Sequence, residues 1–201
     1  MSVFLRLDIA EQLGDPEEKA TALNNTGLIY GTQGNYPTAL ERYEAALQIA
    51  EQRGNLLHKA IFLDNIGNIY YQQRNYLAAL ERYEVALQIA EQLGDLEGKA
   101  IRLNNIGLIY STQGNYPAAL ERYEAVLQIV EQLGNRSMKV NLLGNIASIH
   151  YSQGNYPATI DRCEEALQIL TDLGLSLSPI AKKFQDYLIV IKKIAILKSP
   201  K

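Results

Sequence analysis

One segment of this chain occurs four times at a spacing of 40 residues. It reads LNNTGLIYGTQGNYPTALERYEAALQIAEQRG from Leu23, and near-copies start at Leu63, Leu103 and Leu143. The fourth, LGNIASIHYSQGNYPATIDRCEEALQILTDLG, has drifted furthest. A fixed period of this length constrains the fold more than any single window. Each copy must be one supersecondary unit that buries its apolar face against its neighbours.

Within a copy the apolar spacing is helical, twice over. From Glu17 to Thr32, Leu23, Gly27 and Tyr30 share one stripe at steps of four and three. From Tyr36 to Gln52, Ala39, Tyr43, Ala46, Leu47 and Ala50 form another. The turns agree with this division. Gly34 supplies a left-handed residue at the first helix end, and Gly54 does so at the second. Asn35 can cap the next helix, and Pro37 is tolerated in its first turn. Asp15, Pro16, Glu17 and Glu18 combine a cap, a proline and two acids at a positive helix end. The second copy has Arg74 where the others have glycine. If the left-handed geometry is kept there, it costs on the order of 1 kcal/mol.

Gly27, Tyr30, Gly34, Tyr36, Ala39, Tyr43 and Ala46 resemble the tetratricopeptide repeat pattern, in which small residues let helices approach and aromatics fill the gaps. The usual period of that family is 34 residues. The longer period here resembles the long-helix variant of kinesin light chains and LGN/Pins-type adaptors. The resemblance covers nearly the whole chain. It implies an all-α fold, an α-α superhelix in which antiparallel helix hairpins stack into a right-handed solenoid. It says little about biological role. The expected organisation is a partial repeat over residues 1–14, a second-helix half serving as N-terminal cap. Four repeats follow over 15–54, 55–94, 95–134 and 135–174, the last degenerate. A C-terminal capping helix and basic tail occupy 175–201. In that last helix, Ile180, Phe184, Tyr187, Leu188, Ile191, Ile194 and Ala195 form a stripe expected to pack on the fourth repeat. Ile189 and Ile196 fall on its far side, open to solvent or to a partner. Lys182–Lys183 and Lys192–Lys193 read as solvated flank.

In tetratricopeptide arrays the first helices line the inner surface, so the resemblance makes their inward positions the candidate site. These positions include Asn24, Asn25 and Leu28 in the first copy, and Asp64, Asn65, Asn68, Tyr71 and Gln72 in the second. Asn104, Asn105 and Leu108 follow in the third, and Asn141, Asn145 and Ser148 in the fourth. Asn25, Asn65, Asn105 and Asn145 keep one phase throughout. Asparagine inside a helix costs roughly 0.6 kcal/mol relative to alanine, so its recurrence needs a reason. Its amide offers donors and an acceptor that match a peptide main chain. In related grooves this residue holds the main chain of a bound segment. Alternatively, each asparagine bonds to the adjacent helix and fixes repeat packing. A charged clamp for a C-terminal carboxylate needs lysine, and Asn24, Asp64, Asn104 and Gly144 provide none. A second ladder, Lys19, Lys59, Lys99 and Lys139, is expected to pair with Glu11, Glu51, Glu91 and Glu131.

Composition removes other classes. Of the residues, 47% are hydrophobic and 20% charged, as in chains that fold. A net charge of −3 gives no reason to expect nucleic acid or an acidic membrane as partner. No apolar run approaches the roughly 20 residues that span a bilayer. The lone cysteine, Cys163, allows no intrachain disulfide and fits a cytoplasmic setting. No catalytic residue, metal site or cofactor is expected. His150 replaces the aromatic of Tyr30, Tyr70 and Tyr110, while Cys163 replaces Tyr43, Tyr83 and Tyr123. Both read as packing residues, and nothing supplies a Cys163–His150 pair with an oxyanion hole. The Glu41–Glu44 motif and its copies read as an outer face carrying i,i+3 and i,i+4 pairs. The expected function is a protein- or peptide-binding scaffold, a monomer with weak self-association through Ile189, Ile196 or the N-terminal half-repeat. The alternatives are a self-assembling structural element and the peptide-sensing part of a larger regulator.

Overall fold

The computed structural model describes residues 14–198, with side chains to Ile194, and ahead of them Leu5, Ile9, Ala10 and Gln12. Expectations resting on Glu11, the rest of the half-repeat, Ala195 or Ile196 lie outside the described side chains. Nine helices follow one another and no strand occurs among the described residues. They are α1 (Pro16–Thr32), α2 (Tyr36–Arg53), α3 (Leu56–Gln72), α4 (Tyr76–Leu93), α5 (Leu96–Thr112), α6 (Tyr116–Gln132), α7 (Arg136–Ser152), α8 (Tyr156–Asp172) and α9 (Pro179–Lys198). The chain divides into two compact units, residues 1–109 and 110–201.

The punctuation is built from two residue types. Asn35, Asn55, Asn75, Asn115, Asn135 and Asn155 each sit before a helix and accept a backbone N–H from its first turn. Asp15 does the same for α1, accepting from Glu17 and Glu18 at 2.9 and 3.2 Å. A residue with positive φ recurs every 20 residues from position 14 to position 174, just before each of these caps and, at Gly174, after the end of α8. Glycine fills all of these places but one. Arg74 keeps the left-handed conformation, with φ 60°.

In the first unit, α1–α2 and α3–α4 are helical hairpins joined by three-residue turns. Gly27 and Gly67 set the approach within them. A Cβ on Gly27 would lie 2.8 Å from the Tyr43 ring, and one on Gly67 would lie 2.7 Å from Tyr83. Both tyrosines are buried. Lys59 and Lys99 reach back to Glu51 and Glu91, each at 2.8 Å, as the ladder of lysines predicts.

In the second unit, α7 and α8 form the same hairpin with the sizes exchanged. Ala147 stands where Gly27 and Gly67 stand, and Cys163 where the tyrosines stand. Both are buried in one core cluster. The α9 helix completes that cluster with Ala181, Phe184 and Leu188. Lys139 bridges Glu131 at 2.8 Å and Glu165 at 3.0 Å. Two surface readings need correction. Lys192 is not simple flank, because its ammonium lies 2.7 Å from Glu164. The Glu-Arg-Tyr-Glu motif is not one outer face. Its glutamates are exposed, but Tyr43 and Tyr83 are buried and Arg42 and Arg82 are half-buried. Among the described residues, the i,i+3 pair is seen in the fourth copy, Arg162–Glu165 at 2.9 Å.

Candidate functional site

The inward positions of the first unit sit on α1, α3 and the part of α5 up to residue 109. Asn65 donates from Nδ2 to Oδ1 of Asn24 at 2.7 Å, joining α1 to α3. Beside this amide pair runs a groove of about 350 Å³ whose walls include Leu28, Thr32, Asn65, Asn68 and Gln72. Leu28 is 54% exposed, a large apolar side chain left open to whatever enters. The Asn68 carbonyl oxygen accepts from the buried Tyr83 hydroxyl at 2.7 Å, which fixes the amide's orientation. Burial pushes the Tyr83 pKa up, so the hydroxyl remains a donor. Tyr71 is half-buried, its ring 5.8 Å from that of Tyr76. Asn25, Asn104, Asn105 and Leu108 are half-buried on α1 and α5 and do not line the groove.

Asp64 is placed differently from the asparagines at its phase. Its Oδ2 lies 2.7 Å from the Arg102 guanidinium, whose side chain is only 5% exposed. Asp95 stands 3.6 Å away on the other side of Arg102. Gly98 makes room for this group, since a Cβ there would run into the Arg102 guanidinium and the Asp95 carboxylate. Burial raises the Asp64 pKa to about 6 despite the opposing pull of Arg102. Oδ1 of Asp64 and Nε of Arg102 are buried without partners. Arg102 was missed as a candidate residue. The signal was in the alignment of copies: Ala22, Phe62 and Leu142 hold its position elsewhere, and Asp64 is the one acid at the Asn24 phase.

In the second unit, Asn141, Asn145 and Ser148 face a pocket of about 820 Å³ whose opposite wall is α9. Asn141 and Ser148 are exposed, and Asn145 is half-buried. Cys163 and His150 belong to packing. The thiol is fully buried, and burial pushes its pKa up to about 11, far from a thiolate. His150 is half-buried, with Nδ1 shut away from any partner. Among the described residues, no helix is long and apolar enough to cross a membrane.

Known proteins give this arrangement a context. A tetratricopeptide repeat family model matches residues 7–52 and 59–132, and a second matches 140–172. No curated protein matches significantly. Among solved structures, BtubC (BKLC) from P. vanneervenii superimposes with a TM-score of 0.71 at 21% identity, over 80% of this chain and 66% of that one. Aspartyl phosphate phosphatase F from Bacillus subtilis gives 0.75 at 16% identity, over 91% of this chain and 51% of that one. A signal-transduction ATPase (STAND) protein with a tetratricopeptide repeat sensor, from Pyrococcus horikoshii, gives 0.79 at 20% identity, over 88% of this chain and 27% of that one. The chain therefore spans less than two thirds of the length of each of these proteins, and at these identities the likeness concerns the fold.

Proposed function

The chain belongs to the tetratricopeptide repeat family, and from that premise we propose that it is an interaction module holding an extended partner segment along its first helices. The observation that carries this reading is the Asn24–Asn65 amide pair beside the groove of Leu28, Asn68 and Gln72. The pair uses one donor of Asn65 and one lone pair of Asn24. It leaves the Asn24 amino group and the Asn65 carbonyl oxygen to bond a main chain. Packing and grip are thus compatible at this rung: the bond between helices holds the amides in the pose a peptide would meet. The groove offers amides, hydroxyls and an open leucine in place of cations, which fits recognition of a neutral main chain over a charged terminus. The module works in the cytoplasm as a monomer in this reading, and it performs no chemistry of its own.

The test is binding of an arrayed library of 12-residue peptides to the full chain and to N24A/N65A. The double variant should keep its helical circular dichroism and lose at least about tenfold in affinity for the wild-type binders, as expected for several lost main-chain bonds. Unchanged binding by a folded double variant would refute the amide grip.

A second reading is favoured by one observation. The Pyrococcus protein carries its tetratricopeptide repeats as a sensor, and this chain matches 27% of that protein's length. A sensing role in a larger regulator would use the same groove.

A further inference from the structure

The α9 helix follows the last repeat and packs on it, which accounts for Ala181, Phe184, Leu188 and Ile191, all buried. It accounts only in part for Ile180 and Tyr187, which pack at the margin of that core, and not for the exposed Lys183 and Val190; all four line the 820 Å³ pocket across from α7. We propose that this pocket is a specificity site that takes one bulky apolar side chain of a bound peptide, while Asn141 and Asn145 hold the main chain beside it. The inference rests on the peptide-binding reading above and adds to it the chemistry of the anchor.

Three observations carry it. First, the two walls differ in kind. The α7 wall offers the polar Asn141, Asn145 and Ser148 beside the small Gly144 and Ala147. The α9 wall offers Ile180, Tyr187 and the half-exposed Val190, with the Phe184 ring at the base. An extended segment has the same two sides, a main chain rich in hydrogen-bonding groups and a side chain that can be apolar. Secondly, the drift of the fourth copy makes the space. Gly144 stands where Asn24, Asp64 and Asn104 stand in the other copies. A Cβ there would be 3.3 Å from Phe184, so a branched or amide side chain would displace that ring. The loss of a groove-facing polar group at this one position is therefore the gain of an aromatic floor. Thirdly, the rim charges are complementary to a mixed-charge segment. Lys183 and Asp186 are both exposed, lie three residues apart and have no ion-pair partner among the described residues. A uniformly acidic or basic segment meets repulsion at one of them, whereas an apolar residue flanked by an acid and a base can satisfy both. Tyr151, 5.4 Å from Tyr187 between ring centroids, steadies the aromatic wall.

The probes are capped tripeptides: Ac-Asp-Leu-Lys-NH₂ and Ac-Lys-Leu-Asp-NH₂, each with an alanine counterpart in place of leucine. They are titrated into the ¹⁵N-labelled full chain and followed by amide chemical shifts. At least one leucine peptide should move the side-chain amides of Asn141 and Asn145 and the backbone of residues 183–190. Its alanine counterpart should bind about tenfold more weakly, the difference expected for partly burying three carbons. Filling the pocket from either exposed wall, with S148W or V190W, should abolish the leucine preference while the thermal melt stays cooperative. If leucine and alanine peptides shift Asn145 equally, the apolar anchor is refuted and the main-chain grip stands. If leucine binding survives both tryptophan variants when folded, the site lies elsewhere. If none of the peptides moves Asn141 or Asn145, the grip and the pocket fail together in this unit.

Discussion

At the scale of single residues, the departures from the repeat say most. Arg74 holds a left-handed conformation that glycine holds at the equivalent turns. A side chain with a Cβ there costs about 1 kcal/mol or more. R74G should therefore raise stability by about 1 kcal/mol, less a part lost to the freer unfolded chain, read as a higher midpoint in urea at unchanged slope. Asp64 makes a prediction of opposite sense to most carboxylates. Burial lifts its pKa to about 6 in the folded state, above its value of 3.8 in an unperturbed chain. Between roughly pH 4 and 6 the native state therefore binds a proton that the unfolded chain does not. This group's contribution is fully present below the unfolded pKa and is lost as pH rises through 6. Comparing melts at pH 5 and pH 7.5, the wild type should gain more on acidification than D64N. Parallel pH profiles would show that Asp64 does not titrate in that window.

Among elements, the hairpin is held at one crossing. Tyr43 and Tyr83 need glycine opposite them, at Gly27 and Gly67, whereas Ala147 is matched by Cys163. The two changes run in opposite directions, a larger residue on one helix facing a smaller one on the other, which is the kind of compensation packed interiors tolerate. C163Y alone should overpack α7 against α8 and cost about 1–3 kcal/mol. Adding A147G should return much of it, with a coupling of about 1 kcal/mol or more from the double-mutant cycle. Additive effects would mean that the two positions do not share the crossing. This pairing was already legible in the aligned copies, since the two changes occur together. So were the helix ends, because asparagine caps and left-handed residues act locally and need no knowledge of the partner helix. The α9 stripe was legible in part. Its spacing identified Phe184 and Leu188, but Ala181, small and at the helix start, carried too little hydrophobic signal to be singled out.

At the level of the whole molecule, a repeat chain distributes its stability among neighbours more than it concentrates it in one core. Damage should therefore stay local. In C163Y, hydrogen exchange should accelerate through α7, α8 and α9 while α1–α4 keep their wild-type protection. Uniform acceleration along the chain would show that the repeats unfold as one unit. The candidate site was less legible than the fold, for a physical reason. Inward positions follow from helical phase, but what a polar side chain does there depends on its neighbour 40 residues away. Asn24 meets an amide, whereas Asp64, at the same phase, meets Arg102. The pocket beside Asn141 was beyond reach because its other wall comes from a helix outside the repeat.

The Asp64–Arg102 pair also bears on how such an array can be rearranged. Near-identical copies with matching joints invite duplication, deletion and shuffling, and most seams here would be neutral. One seam is keyed. Excising residues 55–94 would leave Arg102 opposite Asn24 with the more distant Asp95 still beside it, and excising 95–134 would strip Asp64 of its counter-ion. Stranding Asp64 in the second case costs about 3–5 kcal/mol, and the first costs less because Asp95 stays. The second and third repeats are therefore bound to each other in that order, and recombination among these modules is expected to carry them as one cassette.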